Sequence, residues 1–140
     1  MKYNKVLVTG GTGFVGKRLQ KVKPEWDYVS SGDADLTKME ECSALLSRYQ
    51  PDAVIHLAAK VGGIKENAEN PAVFFLQNIA MNTNIVEACR KGGVKRLLAS
   101  LSTCAFPDVV ADYPFTENDI LKGAPAETNL PYGFSKRALW

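Results

Sequence analysis

Tyr132 and Lys136 stand four residues apart in Tyr132-Gly133-Phe134-Ser135-Lys136, at the start of what reads as the last helix. Residues i and i+4 share a helix face, so a phenol and an ammonium there can point at one ligand. The lysine is expected to favour the phenolate and lower the tyrosine pKa, bringing proton exchange with a carbonyl oxygen near neutral pH. A Tyr-x-x-x-Lys spacing alone recurs by chance in helices, so its weight depends on the rest of the chain. Upstream, Ser102-Thr103-Cys104 sits just past the fourth predicted strand. In open parallel sheets ligands bind outside the carboxyl ends of the strands, so these side chains are expected to face a cofactor crevice. Ser102 could hydrogen-bond a substrate carbonyl and hold it against the tyrosine. Cys104 reads either as an ordinary half-buried cysteine or as a thiol that exchanges protons with carbon acids.

A second constellation lies near the N-terminus, in Thr9-Gly10-Gly11-Thr12-Gly13-Phe14-Val15-Gly16. It follows an apolar strand and opens a helix, the context that a dinucleotide pyrophosphate requires. Glycines make such a turn tight, admit the phosphates to the backbone and bring helix close to strand. The free N–H groups and dipole of the helix N-terminus then favour the anion. A plain glycine turn is the alternative. An acidic residue closing the second strand would hold a ribose 2′-hydroxyl. Here that strand closes with Ser30-Ser31-Gly32 and Asp33 lies beyond, which tilts the choice towards NADP, although no arginine stands in the turn. Asp35-Leu36 fits an adenine contact, and equally an ordinary loop aspartate ahead of a helix cap.

The elements that must position these residues follow from apolar periodicity. Lys5-Val6-Leu7-Val8-Thr9 reads as a strand buried on both faces. A helix from Gly13 fades by Lys23-Pro24, and Trp26 to Ser30 forms the second strand. Thr37 and Glu40 have the spacing of a capping box, ahead of a helix with Met39, Cys42, Leu45, Leu46 and Tyr49 on its apolar face. Pro51-Asp52 ends that helix, and Ala53 to Leu57 is the third strand. Asn70-Pro71 opens a long helix whose buried stripe is expected at Val73, Leu76, Ile79, Ala80, Thr83, Val86 and Cys89, with Gly92-Gly93 as its stop. Val94 to Ser100 is the fourth strand. A loop runs from Leu101 to Thr128, and a last helix begins near Pro131 and continues to Trp140. Strands alternating with helices predict right-handed βαβ crossovers and a doubly wound parallel α/β sheet.

With 140 residues, 46% hydrophobic and 23% charged, the composition is that of a soluble globular chain. A net charge of +2 gives no reason to expect nucleic acid or an anionic membrane as partner. No apolar h-region precedes the first strand, and nothing approaches the roughly 18 apolar residues of a membrane span. Three cysteines without zinc-like spacing suit a reducing, cytoplasmic setting, and no metal site is expected.

On these motifs the chain resembles the extended short-chain dehydrogenases/reductases, and within them the GDP-L-fucose synthases. The marks are the glycine turn in its Gly10, Gly13, Gly16 spacing, Ser30 to Thr37, and His56-Leu57-Ala58-Ala59-Lys60-Val61-Gly62-Gly63-Ile64. Ser102-Thr103-Cys104 with Phe106-Pro107, and Tyr132 to Lys136, complete them. The resemblance implies NADPH as cofactor and a GDP-sugar as substrate. GDP-4-keto-6-deoxy-mannose would be epimerised at C3 and C5, both acidified by the adjacent ketone, and then reduced at C4. It implies cofactor contacts at Gly10, Gly13, Phe14, Val15, Gly16, Asp35, Leu36, Leu57, Ala58, Ala59, Tyr132 and Lys136. It makes Cys104 an acid/base for epimerisation, Tyr132 the proton donor to the ketone oxygen, Ser102 its orienting partner and Lys136 a ribose contact. It also implies a homodimer in the full-length form.

Asn78 falls where such proteins place a structural or active-site asparagine, but an exposed helix amide is the plainer expectation. The second epimerisation acid/base in these relatives is a histidine downstream of the tyrosine. His56, the one histidine here, lies upstream and reads as a core or strand-end residue. Such enzymes exceed twice this length, so residues 1–140 are expected to form an incomplete NAD(P)-binding domain without the substrate domain, inactive alone. A fragment and a short natural form both fit, and the alternatives for function are another sugar-nucleotide epimerase or dehydratase of the same family and a cofactor-binding fragment without catalysis.

Overall fold

A computed structural model describes residues 3–109 and 113–140. The chain divides into two compact units. One is built from the chain up to Ala59 together with Ala80–Ser100; the other comprises Lys60–Ile79 and Leu101–Trp140.

The first unit carries a parallel sheet of β1 (Val6–Thr9), β2 (Asp27–Val29), β3 (Ala53–His56) and β4 (Arg96–Ala99), in the order β2-β1-β3-β4. In the register, Leu7 lies opposite Asp27 on one side and Val54 on the other, and Val54 opposite Leu97. Every residue of β1 is buried, because this strand has neighbours on both edges and packing on both faces. Leu7, Val29 and Val54 join Cys42, Leu45, Leu46, Ile85, Ala88 and Cys89 in one core. Val6, Val8 and Ala53 form another with Leu19, Trp26 and Ile55. The alternation along β1 therefore feeds two cores, and the sheet is doubly wound.

Helix α1 (Phe14–Val22) and helix α2 (Met39–Tyr49) take the expected places between strands. The expected capping box before α2 is absent. The helix starts one residue later, from Lys38, and the Thr37 hydroxyl donates to Asp35 Oδ1 at 2.7 Å. Asp35 also accepts from the Thr37 N–H at 3.0 Å, so an aspartate turn takes the groups that the box needed. A six-residue helix, α3 (Ile64–Glu69), precedes the long helix α4 (Pro71–Lys91). It carried no periodic signal strong enough to read from so short a segment.

The buried stripe of α4 differs from the expected one. Phe74, Asn78, Asn82, Ile85, Ala88 and Cys89 face inward, while Leu76 is 63% exposed and Val73 and Val86 about 40%. Two asparagines lie on the interior face because their amides satisfy buried polar partners, as described below, and an apolar-periodicity reading passes over them. Gly92-Gly93 does end the helix. Gly93 has φ +68°, Val94 N–H bonds Cys89 O at 3.0 Å and Gly93 N–H bonds Arg90 O at 3.4 Å, which is a Schellman motif.

In the second unit, the stretch expected as plain loop holds 3₁₀ turns at Thr103–Ala105, Glu117–Asp119 and Glu127–Asn129. The last helix, α5, spans Leu130–Arg137 and ends there rather than continuing to Trp140. The remaining residues close tighter i→i+3 bonds, Leu139 N–H to Lys136 O and Trp140 N–H to Arg137 O.

Candidate active site

The glycine turn of the first unit owes its shape to contacts that no side chain would allow. Gly10 has φ +74°, and a Cβ there would stand 2.8 Å from Ala58 N. A Cβ on Gly16 would stand 2.5 Å from both the Gly10 and Gly11 carbonyl oxygens, so the first turn of α1 rests directly on the loop that feeds it. Gln20 Nε2 donates to Gly11 O at 2.9 Å and holds the loop to the helix. Gly13 is the N-cap of α1, with no side-chain cap and no acidic residue in the first turn. The N–H groups of that turn have no intrahelical acceptor, and the helix dipole is uncompensated. Phe14 and Val15 are exposed beside it. This cradle fits a pyrophosphate: bare backbone donors, no competing carboxylate, and glycines where bulk would block approach.

The residues around this turn are differently engaged. Leu57 and Ala58 follow β3 and donate their N–H groups to Thr9 O at 3.2 Å and Thr9 Oγ1 at 3.4 Å; Ala59 follows, half-buried. Leu36 is buried in the core, and Asp35 is half-buried with its carboxyl held below the usual range, chiefly by the Thr37 hydrogen bonds. Asp33 folds back on Ser30, accepting from its N–H and its hydroxyl at 2.8 Å each, and these bonds hold its carboxyl below the usual range.

His56 is fully buried at the end of β3, as a strand-end histidine should be. Its Nδ1 lies 2.8 Å from Thr9 Oγ1 and its Nε2 3.3 Å from Asn82 Oδ1. The donors align in one direction: Ala58 N–H to Thr9 Oγ1, the Thr9 hydroxyl to Nδ1, and Nε2–H to the Asn82 oxygen. The imidazole thus ties the strand end beneath the glycine turn to α4.

The second unit collects the chemistry-bearing groups. Ser102 caps the 3₁₀ turn Thr103–Ala105, accepting from Cys104 N–H at 3.2 Å, and its hydroxyl hydrogen-bonds the Tyr132 phenol. Cys104 is half-buried, and its Sγ accepts from Asn129 Nδ2 at 3.0 Å. Gly133 lets α5 approach: a Cβ there would collide with the Cys104 carbonyl oxygen and stand 2.8 Å from Pro125 Cβ. Arg137 clamps the same turn, donating from Nε and Nη2 to Ala105 O at 2.9 and 2.7 Å and from Nη1 to Gly123 O at 3.0 Å.

Lys136 is 2% exposed, and its Nζ lies 5.9 Å from the Tyr132 ring centre. Here the expected electrostatics are reversed. Burial pushes the Tyr132 phenol above its ordinary value, the Ser102 hydrogen bond opposes this, and Cys104 adds to the rise. Burial likewise pulls the Lys136 ammonium below its ordinary value. Desolvation disfavours both charged forms and outweighs the attraction that a solvent-exposed lysine would exert. The site therefore presents a neutral phenol, a proton donor, beside a serine hydroxyl and a thiol.

Asn78, expected on the helix surface, is fully buried. It accepts from Lys60 N–H at 2.9 Å and donates to Lys60 O at 2.9 Å and Phe74 O at 2.7 Å, so one amide pins the chain after β3 to α4. Asn129, Gly133 and Arg137 carried no motif signal of their own. A glycine one residue after the tyrosine was the only hint of close packing.

Among the described residues no group of three or more His, Cys, Asp and Glu side chains is placed to hold a metal ion. Nor is any helix among them long and apolar enough to cross a membrane.

The doubly wound parallel sheet, with a glycine turn after its first strand, defines a Rossmann-type nucleotide-binding fold. The chain belongs to the NAD dependent epimerase/dehydratase family, whose model matches residues 6–139. It is 42% identical over 142 residues to a probable GDP-L-fucose synthase of Drosophila melanogaster, covering 96% of this chain and 44% of that protein. It is 38% identical over 141 residues to the GDP-L-fucose synthase of Dictyostelium discoideum, with the same coverage. The crystal structure of a GDP-L-fucose synthetase from Naegleria fowleri bound to NADP superposes with a TM-score of 0.87 at 38% identity, covering 99% of this chain and 46% of that one. The chain thus spans somewhat less than half the length of the relatives it matches.

Proposed function

We propose that this chain holds NADPH on its glycine turn and supplies Ser102, Cys104, Tyr132 and Lys136 to the conversion of GDP-4-keto-6-deoxy-D-mannose into GDP-L-fucose. The observation that carries the proposal is the clustering of a neutral phenol, a serine hydroxyl and a thiol within one unit of a chain that also has a pyrophosphate cradle. The names of the Drosophila, Dictyostelium and Naegleria relatives support the substrate. The cofactor is supported by the NADP in the Naegleria structure and by the closing of the second strand with Ser30-Ser31-Gly32 in place of an acidic residue.

In this reading, hydrogen bonds from Ser102 and Tyr132 polarise the C4 ketone and acidify the protons on C3 and C5. Cys104, as thiolate, takes the proton from one face of such a carbon; a second acid, from residues matching the relatives' remainder, protonates the same carbon of the enolate on its opposite face, and the Cys104 thiol then releases its proton to solvent. The same hydrogen bonds bear the negative charge that develops on the ketone oxygen. Bound NADPH supplies the hydride to C4. Tyr132 gives its proton to the C4 oxygen, and Lys136 fixes the ribose beside it. Gly10, Gly13, Phe14, Val15 and Gly16 hold the pyrophosphate end, with Asp35, Leu36, Leu57, Ala58 and Ala59 lining the rest of the cofactor's path. In full-length form the protein is proposed to be a cytoplasmic homodimer, a setting supported by free thiols at Cys42, Cys89 and Cys104.

Because the relatives are more than twice as long, we propose that turnover needs residues matching their remainder, supplied as a chimera with the Drosophila relative or in trans. With that complement, Cys104→Ser should slow solvent-deuterium incorporation at C3 and C5 by about 10²–10⁴-fold while the already epimerised ketone is still reduced. Undiminished incorporation in a folded Cys104→Ser protein rejects the role of Cys104. A second reading, a cofactor-binding module without catalysis, draws on the 44% coverage. Fluorescence titration showing NADPH binding, with no turnover even in the chimera, would favour it.

A further inference from the structure

We infer that Asn129 is a positioning residue for Cys104: its side-chain N–H holds the sulfur and favours the thiolate, the form that takes a proton from carbon. This rests on the reading of Cys104 as an acid/base.

Asn129 Nδ2 donates to Cys104 Sγ at 3.0 Å. The residue stands at the N-cap of α5, where asparagine ordinarily turns its oxygen to the N–H of the second or third helical residue. No such cap bond forms. Pro131 has no N–H to offer, and the Tyr132 N–H is not taken up by the amide. Instead the Oδ1 atom is buried and has no hydrogen-bond partner among the described residues. An orphaned buried acceptor costs roughly 1–3 kcal/mol, so helix capping does not account for this orientation. The bond to sulfur is what the amide gains.

The chemistry suits a group that must alternate between thiol and thiolate. An asparagine amide offers donors at one end and an acceptor at the other, whereas a serine or carboxylate in its place would offer a weaker or opposite match. A donor on an ionised sulfur is a charge-assisted hydrogen bond, about twice as strong as a neutral one, so it acts on the protonation balance as well as on position. Both partners are held. The turn bearing Cys104 is fixed by the Ser102 cap, the Arg137 clamp and the close approach of Gly133, and Asn129 closes a 3₁₀ turn that leads straight into α5. The other titratable groups are Glu127, exposed, from α5 the Tyr132 phenol with Lys136 and Arg137, and from α3, which packs against the turn Glu127–Asn129, the exposed Lys65, Glu66 and Glu69. None of them is changed by substitution at 129, so they form a constant background.

The test is the rate of Cys104 alkylation by iodoacetamide between pH 6.5 and 10, followed by mass spectrometry of the peptide that carries it. Cys42 and Cys89 are buried, with thiols pushed up to about 11, and compete little. Asn129→Asp keeps the shape and the capping preference but replaces the donor with a carboxylate. It should slow alkylation at pH 7 by about tenfold or more, with the rate converging on that of the unaltered protein near pH 10. Asn129→Leu removes the donor without adding charge and should show the same convergence with a smaller deficit, which keeps the test open if one variant folds poorly. Rates equal to the unaltered protein at pH 7, or a deficit that persists undiminished at pH 10, would overturn the inference. Failure of the underlying reading looks different: Cys104→Ser would leave deuterium incorporation intact while the Asn129 variants still altered thiol reactivity.

Discussion

Tyr132→Phe is expected to lower reduction of the C4 ketone by about 10²–10⁴-fold, the usual contribution of a positioned proton donor, while NADPH binding changes little. The phenol ring fills the same space in both side chains, so packing on α5 survives and the loss falls on chemistry. The sign of the pKa shift adds a second readout. Burial raises the Tyr132 phenol above its ordinary value of about 10, so the donor keeps its proton through neutral and mildly alkaline pH. Single-turnover hydride transfer in the complemented protein should therefore show no falling limb between pH 7 and 9. A limb centred near neutrality would mean that Lys136 overcomes desolvation after all, and the burial account of this site would have to be abandoned.

Gly16→Ala is expected to destabilise the protein and to weaken NADPH binding by more than about tenfold, through displacement of the helix N-terminus from its loop. Two effects oppose each other. Alanine in a helix interior is favoured over glycine by about 1 kcal/mol. Against this, the new Cβ would stand 2.5 Å from two backbone carbonyl oxygens, and backbone cannot turn to another rotamer. Overpacking costs typically 1–3 kcal/mol, and here relief requires moving α1 away from the turn, so the clash prevails. Gly13→Ala is the control for stability alone, since Gly13 itself belongs to the cofactor cradle. Its Cβ would meet Gly10 O at 3.2 Å, a contact that a shift of a few tenths of an ångström relieves. Thermal unfolding of the two variants side by side, and NADPH fluorescence titration of Gly16→Ala against the unaltered protein, decide the matter. Equal behaviour of the pair would contradict the contact geometry.

Much of this molecule was legible in short stretches of chain. The apolar run Val6-Leu7-Val8 ended by glycines, the proline and glycine stops, and the i, i+4 spacing of Tyr132 and Lys136 are local patterns, and each maps onto one element. The doubly wound order follows from their alternation. The errors have a common origin. The stripe of α4 and the exposure of Asn78 were misjudged because apolar periodicity assumes that polar residues face water. Asn78 is instead bonded to Lys60, 18 residues away, and Asn82 to His56, 26 away. The Thr37 cap failed because a nearer acceptor, Asp35, took the Thr37 N–H that the Glu40 carboxylate would have accepted.

By itself, then, the sequence determined which groups are available and on which elements they lie: the glycine cradle after β1, Ser102 and Cys104 beyond β4, and Tyr132 with Lys136 on α5. Those facts depend on neighbours within a few residues, where propensity and spacing act. Only the tertiary structure decided what state the groups are in. Burial keeps Tyr132 a neutral acid despite its lysine, and an amide 25 residues from Cys104 reaches its sulfur. Desolvation and long-range hydrogen bonding depend on what surrounds a side chain in space, and the spacing of residues along the chain carries no measure of that.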